Sequence, residues 1–242
     1  MNSYLVRFSV RQRIEHIMVM SLFATLGLTG LPQKYFASGW AHWTVSALGG
    51  IDSTRWMHRW LGITFTVFTV LHFVTALGGV LKAKGKLTMV PNRQDFKDAI
   101  GTLRYYLGTS DHHPPYDRYD YRQKFEYWGL VFGGLIMIST GFLLYAPTLF
   151  TQVLPGVFIP AAKVAHSNEG LMAILVVLVW HIYNAHLNPD VFPFDTSIFT
   201  GRISRERMEK EHGLELKRLE AAHPAPAPEV VPVAVPEARK SG

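Results

Sequence analysis

Residues 58–72 read HRWLGITFTVFTVLH, an apolar run closed at each end by a histidine, with Arg59 beside the first. The apolar character continues to Val80, so the cluster approaches the ~20 residues that carry a helix across about 30 Å of hydrocarbon. Three further clusters, at residues 17–31, 128–145 and 171–185, have the same character once their flanks are counted. The pattern predicts an all-α integral membrane four-helix bundle with spans near 14–31, 58–80, 125–145 and 164–186. Soluble core helices would be periodic, whereas here the apolar residues are bunched. The first cluster starts late, has His16 at its edge and ends in TGLPQKYF without a small-residue cleavage site, so it reads as a retained span and not a signal peptide.

Composition narrows the chemistry. The 242 residues contain no cysteine, which excludes disulfides, thiolate-held iron–sulfur clusters and covalent c-type haem. The net charge of +6 accompanies no nucleic-acid motif and reads as topology, so no nucleic-acid partner is expected. Three Lys or Arg precede the first span, nine lie from Lys82 to Lys124 and eight follow Leu187; the other two connections hold Lys34, Arg55, Arg59 and Lys163. By the positive-inside rule both termini and the long second connection face the cytoplasm of a bacterial inner membrane.

That connection contains DFKDAIGTLRYYLG, where Phe96, Ile100, Leu103 and Leu107 recur at helical spacing, as in a short helix on the membrane surface or against a partner. His112 and His113 follow in a polar, turn-rich stretch and read as solvated, with metal binding the less favoured alternative. After the fourth span, SRERMEKEHGLELKRLEAA reads as an amphipathic helix. Domain 1–215 is the four-span unit, and 216–242 is a Pro/Ala-rich tail expected to be disordered.

Five of the eleven histidines, His16, His58, His72, His166 and His181, lie inside or at the ends of the spans. Ionisable groups at that depth are costly and mark function by default. His58 and His72 are fourteen residues apart, about 21 Å of rise and nearly one helical face. His166 and His181 are fifteen apart on a helix running the same way, about 22 Å of rise and within about 60° of one face. His58 therefore shares a level with His166, and His72 with His181. Gly62 and Gly170, four residues after the leading histidines, remove bulk where a flat macrocycle would need room.

With no thiolate and no cluster of carboxylates, imidazoles paired across a bundle suit six-coordinate haem iron, so b-type haem is the expected cofactor. Gly129, Gly133, Gly134 and Gly141 fit either close helix packing or haem clearance. Arg55 and Arg59 could neutralise haem propionates or snorkel at the interface. His16 competes with His72 and His181 for the inner level. His186 is five residues past His181 and turned about 140° away, so it would serve only a third haem or another role.

WHIY followed by DTSIFTGRISRERMEKEH, with His181, Tyr183, Ser197, Ile198, Gly201, Ile203, Ser204 and His212, resembles the fourth helix and tail of the formate dehydrogenase gamma subunit family, which includes the cytochrome b subunits of nickel–iron hydrogenases. The resemblance implies a membrane anchor holding two b haems and exchanging electrons with quinone near the inner one. It implies His58 with His166 outside and His16 with His181 inside, whereas spacing alone pairs His72 with His181, so the inner ligand stays open between His16 and His72. KFEYWGLVFGGLIMISTG also resembles cytochromes b that serve multihaem c-type proteins. The implied partners are a periplasmic redox subunit, either iron–sulfur or multihaem, together with quinone and membrane lipid.

For quinone the candidate region is Glu126, Tyr183, Asn184 and His186, although Glu126 could equally pair with Lys124 or Arg122. A stand-alone ferric or ascorbate reductase is the nearest alternative. A histidine-dependent metal transporter is less favoured, because residues 60–80 and 171–185 contain no acidic side chain.

Overall fold

The apolar clusters become the middles of helices whose polar first turns extend them. In the computed structural model, which describes residues 4–82, 87–189 and 191–222, four helices are long and apolar enough to cross a membrane. They are α1 (Val10–Lys34), α3 (Ile51–Lys82), α5 (Tyr121–Tyr145) and α7 (Phe158–Leu187). Ser9 and Asp120 cap α1 and α5, each in a reciprocal box with a glutamine three residues on. These caps lie four or more residues before the boundaries that hydropathy sets, because a helix start is written in hydrogen-bonding residues and a membrane boundary in apolar ones.

An even number of spans puts both ends of the bundle's chain on one side, here called the termini side. α5 packs most extensively on α7 and α1 on α3, with lighter α1–α7 and α3–α5 seams. α3 and α7 therefore stand diagonally across the bundle. The apolar side chains point mostly outward, as Val74 and Val179 do at 62% and 69% exposure. That is the arrangement expected of helices solvated by lipid. All six tryptophans, Trp40, Trp43, Trp56, Trp60, Trp128 and Trp180, lie in the short far-side helix α2 (Gly39–Ala47) or toward span ends, as an interfacial belt requires.

The connection between α3 and α5 contains α4 (Arg93–Tyr106), capped by Asn92. It docks by its polar side: Asp95 receives Lys124 Nζ at 2.8 Å and Thr102 bonds Tyr116 at 2.6 Å. Phe96, Ile100, Leu103 and Leu107 all face outward. Its apolar stripe is thus presented to the surroundings, the inverse of a core helix.

The buried apolar cluster sits on the termini side, where Ile203, Met208 and Leu216 pack with Leu5. Strand β1 (Tyr4–Val6) pairs antiparallel with β2 (Arg202–Ser204), with Leu5 opposite Ile203. Two short helices, α6 (Pro147–Phe150) and α8 (Ser197–Thr200), join the larger elements. The single amphipathic helix expected after the fourth span is two, α9 (Arg205–Glu211) and α10 (Gly213–Ala222), divided at His212. α10 crosses position 216, where composition starts the tail, because LKRLEAA still has helical propensity and Leu216 is buried. Residues 223–242 of that tail lie outside the described residues.

Glu215 ties this cap together. It is 2% exposed and accepts from Arg7 Nη1 at 2.5 Å and from Arg118 Nη1 at 2.7 Å, while Arg118 Nη2 donates to the Arg7 carbonyl. One carboxylate thus joins the residue that follows β1, the loop before α5 and α10. Removing one partner from a buried ion pair leaves an uncompensated charge and typically costs about 3–5 kcal/mol. Glu215→Ala should therefore expose the 200–222 segment to protease at a much higher rate, with Glu215→Gln intermediate, as read by limited proteolysis in detergent.

His212 is buried beside Arg7 and gives its Nδ1–H to the Asp117 carbonyl at 2.8 Å. Burial, reinforced by the Arg7 charge, pushes its pKa down to about 4. The unfolded imidazole takes a proton near pH ~6.5 and the folded one does not, so stability is fully present above that pH and falls progressively as pH drops toward about 4. In His212→Gln the acid side of the cap's proteolysis profile should flatten between those two values.

Candidate functional site

Four span histidines meet as two pairs. On the far side His58 of α3 faces His166 of α7, with ring centroids 6.2 Å apart. On the termini side His16 of α1 faces His181 of α7, also at 6.2 Å. A metal–imidazole bond of about 2.0 Å, added on each side to the distance from ring nitrogen to ring centre, separates two imidazoles on opposite faces of one metal by about 6 Å. Both pairs meet that separation.

The second nitrogen of each ring settles which one is free. His58 Nδ1 lies 2.9 Å from Thr29 Oγ1 of α1, whose own hydrogen goes to the Thr25 carbonyl at 2.8 Å. The hydroxyl must therefore accept, which puts the proton on Nδ1 and leaves a lone pair on Nε2. His166 repeats the arrangement with Thr140 of α5: Nδ1 to Oγ1 is 3.0 Å, and Thr140 donates to the Ile136 carbonyl at 2.5 Å. His181 gives its Nδ1–H to Glu126 Oε2 at 2.8 Å. His16 Nδ1 is buried with no hydrogen-bond partner among the described residues. Histidines that ligate metal characteristically hand their other N–H to such an acceptor.

Backbone geometry brings the α7 pair into line. From Val176 to Leu187 the helix widens into π turns, interrupted only at Ile182. A π turn accommodates one residue more than an α turn, so the fifteen-residue interval from His166 to His181 behaves as about fourteen, close to a whole number of turns.

Glycine allows the close approaches, though not where spacing placed it. A Cβ on Gly30 would stand 3.0 Å from His58 Cε1, and one on Gly141 would stand 3.3 Å from His166 Cε1. Gly62 has nothing within 4 Å of a would-be Cβ, and Gly170 meets Met137 at 3.4 Å. The contact partner of His58 is thus on α1, which counting along α3 cannot reveal. Gly134 faces Phe65, Gly129 has open space, and Gly133 lies under the Glu169 carboxylate.

Spacing sets His72 opposite His181, and the structure brings His16 there instead. His72 has both ring nitrogens engaged, Nδ1 with Glu15 Oε2 and Nε2 with Tyr127 OH, each at 3.3 Å. His186 stacks on Phe194 with centroids 4.0 Å apart and planes 2° from parallel, and its Nδ1 is buried without a partner among the described residues. Tyr183 is exposed, and Asn184 bonds the Trp180 carbonyl and lies within reach of Arg122. Arg59 lies over the Tyr145 ring at 6.0 Å. His113 bonds Tyr116 and packs edge-on to Tyr105.

Thr29, Thr140 and Gly30 escape sequence reading, since threonine and glycine are ordinary in membrane helices. Glu169 escapes it too, although an acidic residue three positions past a span histidine is a usable signal. Among the described residues no three His, Cys, Asp or Glu side chains converge as a metal cage. The donors are imidazole pairs, which suit an iron whose other four ligands come from a macrocycle.

No curated protein matches the chain. A family model described as prokaryotic cytochrome b561 matches residues 7–191, which include all four spans and all four paired histidines. The chain belongs to the prokaryotic cytochrome b561 family and is a b-type haem protein of membrane electron transfer.

Proposed function

We propose that this protein carries electrons across a bacterial inner membrane, between quinone on the cytoplasmic termini side and a periplasmic redox partner, as a subunit of a respiratory complex. The observation that supports this best is the repetition of one imidazole separation, 6.2 Å between ring centroids, at two levels of the bundle. One haem would be held by His58 and His166 and the other by His16 and His181. Haem bound there supplies one-electron oxidation and reduction.

The chain's own residues orient and insulate. Thr29, Thr140 and Glu126 hold three of the four rings through Nδ1, so that ring rotation is fixed before any ligand arrives. His16 has no such hold on Nδ1 among the described residues. The charge bias toward the termini side supports the cytoplasmic assignment, and +6 overall suits that reading.

For quinone, the His186–Phe194 stack lies just beyond the His16–His181 level and offers an aromatic pair beside a ring nitrogen that is buried and has no partner among the described residues. A planar ring with two carbonyl oxygens would be met there by stacking and by a hydrogen-bond donor. The position of His58 and His166 near the far-side starts of α3 and α7 supports a periplasmic partner.

The reduced optical spectrum of the purified protein, with haem extraction, tests the reading. Two b-type haems per chain are expected, and a protein without a b-type spectrum overturns it. His16→Ala should fall to about one haem per chain, whereas His72→Ala should keep both, because its ring nitrogens already have protein partners. Reduction by a quinol and reoxidation by a periplasmic cytochrome extract, with ascorbate inert, distinguishes this role from that of a stand-alone reductase.

A further inference from the structure

The two sites differ in what receives the Nδ1–H of the histidines. On the far side both acceptors are neutral hydroxyls, Thr29 for His58 and Thr140 for His166. On the termini side the acceptor is a carboxylate, Glu126 Oε2, 2.8 Å from His181 Nδ1. The Glu126 side chain is only 13% exposed, and its other oxygen is buried without a hydrogen-bond partner among the described residues. Among the described residues the bond to His181 is its sole hydrogen bond.

Glu126 comes from the start of α5 and His181 from the π-helical part of α7, so the bond joins two spans. With so little of its side chain exposed, the carboxylate is not a mobile surface charge. Lys124 and Arg122, its nearest basic neighbours in sequence, are committed elsewhere, Lys124 to Asp95 at 2.8 Å and Arg122 to Asp120 at 2.8 Å. The negative charge therefore stays beside the histidine.

We propose that Glu126 is a positioning residue that sets the reduction potential of the termini-side haem below that of the far-side haem; this rests on the haem assignment given above. A carboxylate that accepts Nδ1–H draws the proton toward itself and returns electron density through the ring to Nε2. The ligand becomes more imidazolate-like and donates more strongly to iron. Both that donation and the fixed negative charge favour the oxidised iron, which carries one more positive charge than the reduced form. Threonine hydroxyls do neither. The potential difference is built into the choice of acceptor and needs no difference in ligand type, since all four ligands are imidazoles.

Redox titration of the full-length protein in lipid nanodiscs, followed in the b-type absorption bands, tests this. Wild type should show two midpoints. Glu126→Gln, which keeps a hydrogen-bond acceptor and removes the charge, should raise the lower midpoint and leave the upper one in place. Glu126→Asp should restore part of the gap, and Thr140→Val should move only the upper midpoint. An unchanged pair of midpoints in Glu126→Gln, or movement of the upper one, overturns the proposal while the haem assignment stands.

A wild type that binds no haem overturns the haem assignment itself. If Glu126→Gln loses its termini-side haem, Glu126→Asp decides: with the carboxylate kept, its lower midpoint should stay below the upper one, and two coincident midpoints overturn the proposal.

Discussion

A histidine that offers Nε2 to a metal leaves an Nδ1–H to be satisfied, and in the middle of a bilayer there is no water to take it; three of the four paired rings have an acceptor, and His16 has none among the described residues. The acceptor has to come from a neighbouring helix, at hydrogen-bond distance and in a fixed direction. Here Thr29 and Thr140 reach in from α1 and α5, and Glu126 reaches in from α5. Each threonine can play this part only because its hydrogen is already committed to its own helix backbone. The packing of the four spans follows from these bonds as much as from apolar contact, which is sparse inside a bundle that turns its large side chains to lipid.

The same requirement explains the glycines that matter. Gly30 and Gly141 let α1 and α5 come within touching distance of the rings they serve, in each case from the helix that also carries the threonine acceptor. Gly30 follows Thr29 directly, and Gly141 follows Thr140. A Thr-Gly pair is therefore the local unit on both helices: one residue to bond the ring and one to clear it. The far-side level is built twice from that dipeptide, on two helices that have no other likeness in this region.

The four spans are legible in the sequence because lipid demands long apolar runs, and their helical ends are not, because caps such as Ser9 and Asp120 are polar. His58 and His166 stand out from spacing, since both begin a span on the same side. The partner of His181 does not, because spacing fixes angles along one helix and says nothing of how two helices are rotated against each other. His72 and His16 share a level, and only the packed bundle turns His16 to His181 and gives His72 to Glu15 and Tyr127. Glu126 is visible in sequence as a charge near a span end, and Lys124 beside it suggests an interfacial pair. Lys124 instead goes to Asp95 of α4, an element that hydropathy places only loosely.

The strand pair on the termini side has a consequence for how the chain is assembled. Tyr4 pairs with Ser204 and Val6 with Arg202, so residues at opposite ends of the four-span unit are direct neighbours. A ribosome that delivers the chain from its N-terminus must release β1 long before β2 exists, and a contact of such sequence separation closes late. Arg7 meanwhile waits without Glu215, the carboxylate that finally receives it. The termini-side cap is thus a last-formed latch: all four spans must be inserted in the right direction before its two halves lie on the same side of the membrane to meet.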